Sequence, residues 1–128
     1  MFRPVHFEIH CTDIDRASKF YKTIFGWEIT KWSEGDYWMV STGEKSDDGI
    51  NGGMMLRKGS APKEGSAVNA FVCTQTVPSL DESMAAVTLN GGKIALDKMA
   101  VKGMGWVAYG IDTEGNIFGM MQLDKEAV

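Results

Sequence analysis

The chain has 128 residues, 44% of them hydrophobic and 23% charged, the make-up of one ordinary folded domain long enough to bury a core. Its net charge of −4 and pI of about 5.1 exclude the basic face that a nucleic-acid partner needs, and no apolar run approaches the roughly 18 residues of a membrane span. Two cysteines, Cys11 and Cys73, are too few for a disulfide framework; both are read as reduced thiols in a cytoplasmic protein with no signal peptide.

Along the chain, Val5-His6-Phe7-Glu8-Ile9-His10 alternates apolar and polar residues, the pattern of a half-buried strand. The period then changes: Ile14, Ala17, Phe20, Tyr21, Ile24 and Phe25 recur at helical spacing, with Thr12 or Asp13 as cap and Gly26 at the end. Strands are expected over 27–32, 37–42 and 50–57, and 59–65 reads as a loop around Pro62. A further strand is expected over 67–74. Ser79-Leu80-Asp81-Glu82 then has the spacing of a capping box, opening a helix that stops at Asn90-Gly91-Gly92. Strands over 93–100, 105–111 and 117–123 complete the chain, the last two joined by the turn Asp112-Thr113-Glu114-Gly115-Asn116.

The order is βαβββ twice, in modules of about 5–57 and 67–123, with an offset near 63 that sets His6 on Asn69 and Ile14 on Val77. Each module leaves one apolar face to cover. The expected class is therefore α+β.

Several short motifs stand in a fixed order. They are His6-Phe7-Glu8-Ile9 with Asp13 and Ala17, Phe20-Tyr21, Phe25-Gly26-Trp27, Gly52-Gly53-Met54-Met55, Asn90-Gly91-Gly92, and Asp112 through Phe118. In this order the chain resembles the vicinal oxygen chelate superfamily, which holds glyoxalase I, bleomycin resistance proteins and extradiol dioxygenases, and within it the glyoxalase-related proteins of unknown function. The resemblance implies a single domain of two paired modules, a curled mixed sheet around a cavity with helices outside, and a homodimer.

It also implies four inward positions, on the first and last strand of each module, from which His or Glu holds a divalent ion in the superfamily's metalloenzymes. At the offset of 63 these carry His6, Leu56, Asn69 and Gly119. Only His6 is a strong ligand, and a catalytic centre needs about three protein ligands. No metal or other cofactor is therefore expected, a divalent metal being the alternative.

Strand parity places His6, Glu8 and His10 on one face. They span about 13 Å at ~3.3 Å per residue, too far to converge easily on one ion. Glu8 facing an apolar cavity would have its pKa raised by desolvation, which with His6 makes a candidate acid–base pair. The same parity sends Met54, Met121, Asn69 and Phe71 inward, and Trp38 and Trp106 lie nearby. The expected ligand is a small apolar or aromatic molecule. No nucleophile elbow, phosphate loop or activated cysteine is present in the sequence. Three readings remain: a metal-independent binder, a metal-dependent lyase, isomerase or dioxygenase using His6, and a metal-free acid–base enzyme using Glu8. The first is preferred.

Overall fold

The computed structural model describes every residue except Phe2. The chain divides into two compact units, Met1–Ala61 and Pro62–Val128, each of which is built as strand, helix and three strands.

In the first unit, β1 (Phe7–Cys11) leads into α1 (Ile14–Phe25), followed by β2 (Glu28–Lys31), β3 (Trp38–Ser41) and β4 (Gly52–Leu56). The helix begins at Asp13, whose side chain accepts from the Arg16 N–H at 3.0 Å, satisfying one of the four amides that a helix start leaves unpaired. It ends at Gly26, which adopts φ 71° and returns its own N–H to the Lys22 carbonyl. A side chain there would be strained, so glycine is the natural residue. Ile14, Ala17, Phe20 and Tyr21 form the buried stripe of α1. An aromatic cluster extends this core: the Tyr21 and Trp27 rings stack at 5.0 Å, with Phe7 and Phe25 within 5.7 Å of Trp27.

The second unit repeats the design with β5 (Thr74–Thr76), α2 (Leu80–Leu89), β6 (Lys93–Val101), β7 (Gly105–Ile111) and β8 (Ile117–Leu123). Ser79 caps α2 by accepting from the Glu82 N–H at 3.3 Å, one half of the expected box. The core holds Leu80, Val87, Ala108, Phe118 and Met120, all at most 3% exposed.

Each unit carries a four-stranded mixed sheet, ordered β1-β4-β3-β2 and β5-β8-β7-β6. In both, the first strand runs parallel to the last, and the other pairs are antiparallel. The duplicated βαβββ pattern is therefore the architecture.

The strand expected over 67–74 is displaced. Residues 67–73 lie outside any strand, and β5 covers only Thr74–Thr76. This resets the repeat. The helices begin at Ile14 and Leu80, an offset of 80 − 14 = 66. The parallel pairs Glu8↔Gly53 and Thr74↔Gly119 give the same 66 at both members, 74 − 8 and 119 − 53. The change from 63 to 66 is odd, so it reverses every inward–outward assignment carried from one module to the other.

Candidate functional site

Residues directly opposite in a sheet share a face, and neighbours along a strand alternate. In the first sheet, Ile9, Met54 and Trp38 are in register, and Met54 faces the helix, where its sulfur accepts from the Ser18 hydroxyl of α1 at 3.8 Å. Glu8, Gly53 and Met39 are the next row and so belong to the opposite, open face. There the structure joins the three residues that parity brought together, through a fourth that the sequence reading did not include.

The fourth is Tyr37, one residue before β3. Its hydroxyl donates to Glu8 Oε2 at 3.1 Å and lies 2.8 Å from His6 Nε2. Glu8 Oε1 in turn accepts from His10 Nε2 at 2.7 Å. The result is one chain of hydrogen bonds, His6–Tyr37–Glu8–His10. Gly53 makes it possible: a Cβ at that position would fall 1.8 Å from the Tyr37 hydroxyl, so the phenol occupies the space that any other residue's side chain would fill. Tyr37 and Gly53 had one available signal, since glycine inside a strand marks close approach by another group.

The electrostatics correct the expectation for Glu8. The His10 hydrogen bond, with help from Tyr37 and the charges of both imidazoles, outweighs burial and holds its carboxyl below the ordinary 4.5. With a side chain still 41% exposed, Glu8 is an ionised acceptor and not a desolvated acid. Tyr37 is pushed up, by burial first and then by Glu8, so the phenol keeps its proton and donates it.

The remaining expected site residues separate. Met54 is fully buried under α1, and Trp38 is on that same helix-side face, with Lys31 Nζ 5.8 Å from its ring. Trp106 is in register with Gln122, whose Oε1 accepts from the Leu80 N–H at the start of α2. It too stands on the helix side, donating to Asp124 Oδ2 at 3.0 Å beneath Lys98. Asn69 and Phe71 precede β5 and are exposed, Phe71 completely. Met121 keeps its place, on the open face with Gly119, Thr74 and Thr76. The displacement of Met54, Asn69 and Phe71 has one cause, the three-residue slip of register. A hollow of about 350 Å³ in the second unit is lined by Thr76, Val77, Pro78, Gln122 and Leu123, without a titratable side chain.

Residues 3–43 match the family model described as bleomycin resistance protein-like N-terminal, a segment that spans β1, α1, β2 and β3. A glyoxalase/bleomycin resistance protein/dioxygenase family enzyme from Burkholderia phytofirmans PsJN superposes with a TM-score of 0.70 at 16% identity, over 93% of this chain and 97% of that one. This is the glyoxalase/bleomycin resistance fold. The fosfomycin resistance protein FosX from Listeria monocytogenes shares it at a TM-score of 0.70 and 18% identity, covering 97% of this chain and 93% of its own. A glyoxalase-related enzyme from Fulvimarina pelagi does so at 0.67 and 16%, over 100% and 98%. No curated protein matches the chain. The resemblance read from the motifs thus holds for the fold.

Metal ligation can be tested against this chain's own donors. With the offset of 66, the four positions that the resemblance assigns to ligands carry His6, Gly53, Val72 and Gly119, one imidazole and three side chains without a donor atom. Hydroxyls fill both glycine positions: Tyr37 Oη over Gly53, and Thr74 Oγ1, 2.4 Å from where a Gly119 Cβ would stand. Among the described residues no three His, Cys, Asp or Glu side chains are grouped to hold an ion. The residues present do not fit a transition-metal centre. Nor is any helix among them long and apolar enough to cross a membrane.

Proposed function

We propose that the chain binds a small organic molecule on the open face of its first sheet, holding it by side chains and without a transition metal. The observation that carries this reading is the Tyr37 hydroxyl seated over Gly53 and joined to His6 and Glu8. It sets a fixed polar cluster where a metalloenzyme of this fold would present a ligand. A few convergent polar groups beside apolar side chains are what a small-molecule site needs, and Met39 and Met55 share the face. Acid–base catalysis by Glu8 is the weaker reading, because a carboxylate held below its ordinary range is a poor proton acceptor near neutral pH.

A thermal-shift screen of small organic molecules tests the proposal. Binders are expected to raise the melting temperature of the wild type and to lose most of that effect with Glu8→Gln and Tyr37→Phe. Hits that stabilise both variants as well as the wild type would place binding elsewhere. The chain is further proposed to act as a homodimer, since open sheet edges favour pairing with a second copy. Light scattering should then give about 28 kDa, twice 14.1 kDa, and a concentration-independent monomer would contradict this.

A further inference from the structure

The hydrogen-bond directions in the cluster carry information about what it recognises. An ionised carboxylate only accepts, so the Tyr37 hydroxyl must donate to Glu8 Oε2. A phenol has one hydrogen, so the 2.8 Å contact with His6 requires His6 Nε2–H to donate to Tyr37 Oη. His10 Nε2–H likewise points at Glu8 Oε1. The hydrogens in these three bonds therefore run inward, toward one carboxylate. When the His6 ring carries a single proton, on Nε2, what His6, Tyr37 and Glu8 present outward is lone pairs: Nδ1 of His6 and the unused acceptor positions of Glu8, which has about four in all. Among the described residues no lysine or arginine is paired with Glu8; Arg57 donates instead to the His10 backbone carbonyl. Apolar and aromatic groups stand beside the cluster. Met39, in register with Gly53, is 46% exposed, and the His6 and Tyr37 rings stack at 6.3 Å.

We propose that this cluster is a recognition site for an organic cation, an ammonium or guanidinium group carried on an apolar body. The inference rests on the small-molecule reading above and adds its chemical class. Donor-rich cations satisfy the outward lone pairs and the Glu8 charge, and gain from the adjacent aromatic faces. Carboxylate and phosphate ligands would meet the Glu8 charge, with which no lysine or arginine is paired among the described residues. Met39 supplies contact for the apolar body.

The test uses three probes of the same shape and different charge: benzylammonium, benzyl alcohol and benzoate. Each is titrated into the protein at about pH 8, where free imidazoles are uncharged, and followed by NMR. Benzylammonium is expected to shift His6, Glu8, Tyr37 and Met39 saturably, and the other two probes much less. Glu8→Gln should weaken it by about tenfold or more, the effect of losing a charge-assisted hydrogen bond. Met39→Thr should weaken it less while preserving the preference for the cation. Equal shifts from benzyl alcohol or benzoate, no shift from benzylammonium, or undiminished binding to a folded Glu8→Gln protein would overturn the proposal. Neutral or anionic probes binding at these four residues would remove the cation class and leave the small-molecule reading standing. That reading fails separately, if no screened molecule acts through Glu8 and Tyr37.

Discussion

The two units use one scaffold and differ most on the faces turned away from their helices. Glu8 and Thr74 occupy equivalent positions, as do His10 and Thr76, and Gly53 and Gly119. Over Gly53 the hydroxyl comes from Tyr37, just before the neighbouring strand β3, and links His6 to Glu8, which in turn holds His10. Over Gly119 it comes from Thr74 on β5, and although Tyr109 stands in register with Gly119 on the same face, no side-chain hydrogen bond among the described residues joins it to Thr74. On the helix side the equivalence is close: Met54 and Met120, 66 residues apart, are both fully buried. Duplication has kept the packing that makes each unit fold and left the opposite faces to diverge. Among the described residues, the face of the first unit is the one that carries the connected network His6–Tyr37–Glu8–His10.

That contrast can be broken at several points. Met54→Ala and Met120→Ala should each cost about 2–5 kcal/mol in urea denaturation, because both empty a filled core position; a large cost at only one would show that the packing is not equivalent. Gly119→Ala follows, at about 1–3 kcal/mol, since the new methyl meets Thr74 close to its backbone, with Cβ only 3.2 Å away. Gly53→Ala should cost less, below about 1.5 kcal/mol, because Tyr37 can swing out on a longer side chain. Its signature is different: with Tyr37 displaced, the Glu8 carboxyl should titrate closer to its ordinary 4.5, and Tyr37→Phe should move it the same way. Carbon NMR of the Glu8 carboxyl reads both, and an unchanged titration would mean that Tyr37 does not hold Glu8.

The smallest effect belongs to the second unit. Asp124 is held below its ordinary 3.8 by the Trp106 indole N–H and then by the Glu126 amide. A folded pKa below the unfolded one contributes stability that is complete above the ordinary value and is lost as pH falls through the lowered one. Trp106→Phe should therefore lower stability slightly above pH 3.8, where that contribution is complete, and flatten the fall below it. An acid profile identical to the wild type's would exclude the Trp106–Asp124 bond as its source.

Much of this was legible in the residues. The Ile14–Ala17–Phe20–Tyr21 stripe with Asp13 and Gly26 at its ends specifies α1, and the strands from Gly105 and Ile117 keep the expected bounds. The shared face of His6, Glu8 and His10 follows from period 2 alone. Register did not follow, because Ala67 through Val72 is as strand-like in composition as Thr74-Gln75-Thr76. Only pairing with β8 decides which segment joins the ladder. That slip sent Met54, Asn69 and Phe71 to the wrong surroundings. Tyr37 could not be assigned a role without knowing that its ring crosses Gly53, a contact between strands rather than a pattern within one. The raised acidity of Glu8 follows from the same cause, since the partners that stabilise its charge are visible only in three dimensions.

Elemental analysis of protein purified without chelator tests the central claim most directly, that the first unit's polar cluster stands in place of a metal centre. The account predicts no stoichiometric zinc, nickel or iron, a metal content unchanged by His6→Ala, and no appreciable rise in melting temperature when these metals are added. About one transition metal per chain, lost on His6→Ala or Glu8→Ala, would contradict it.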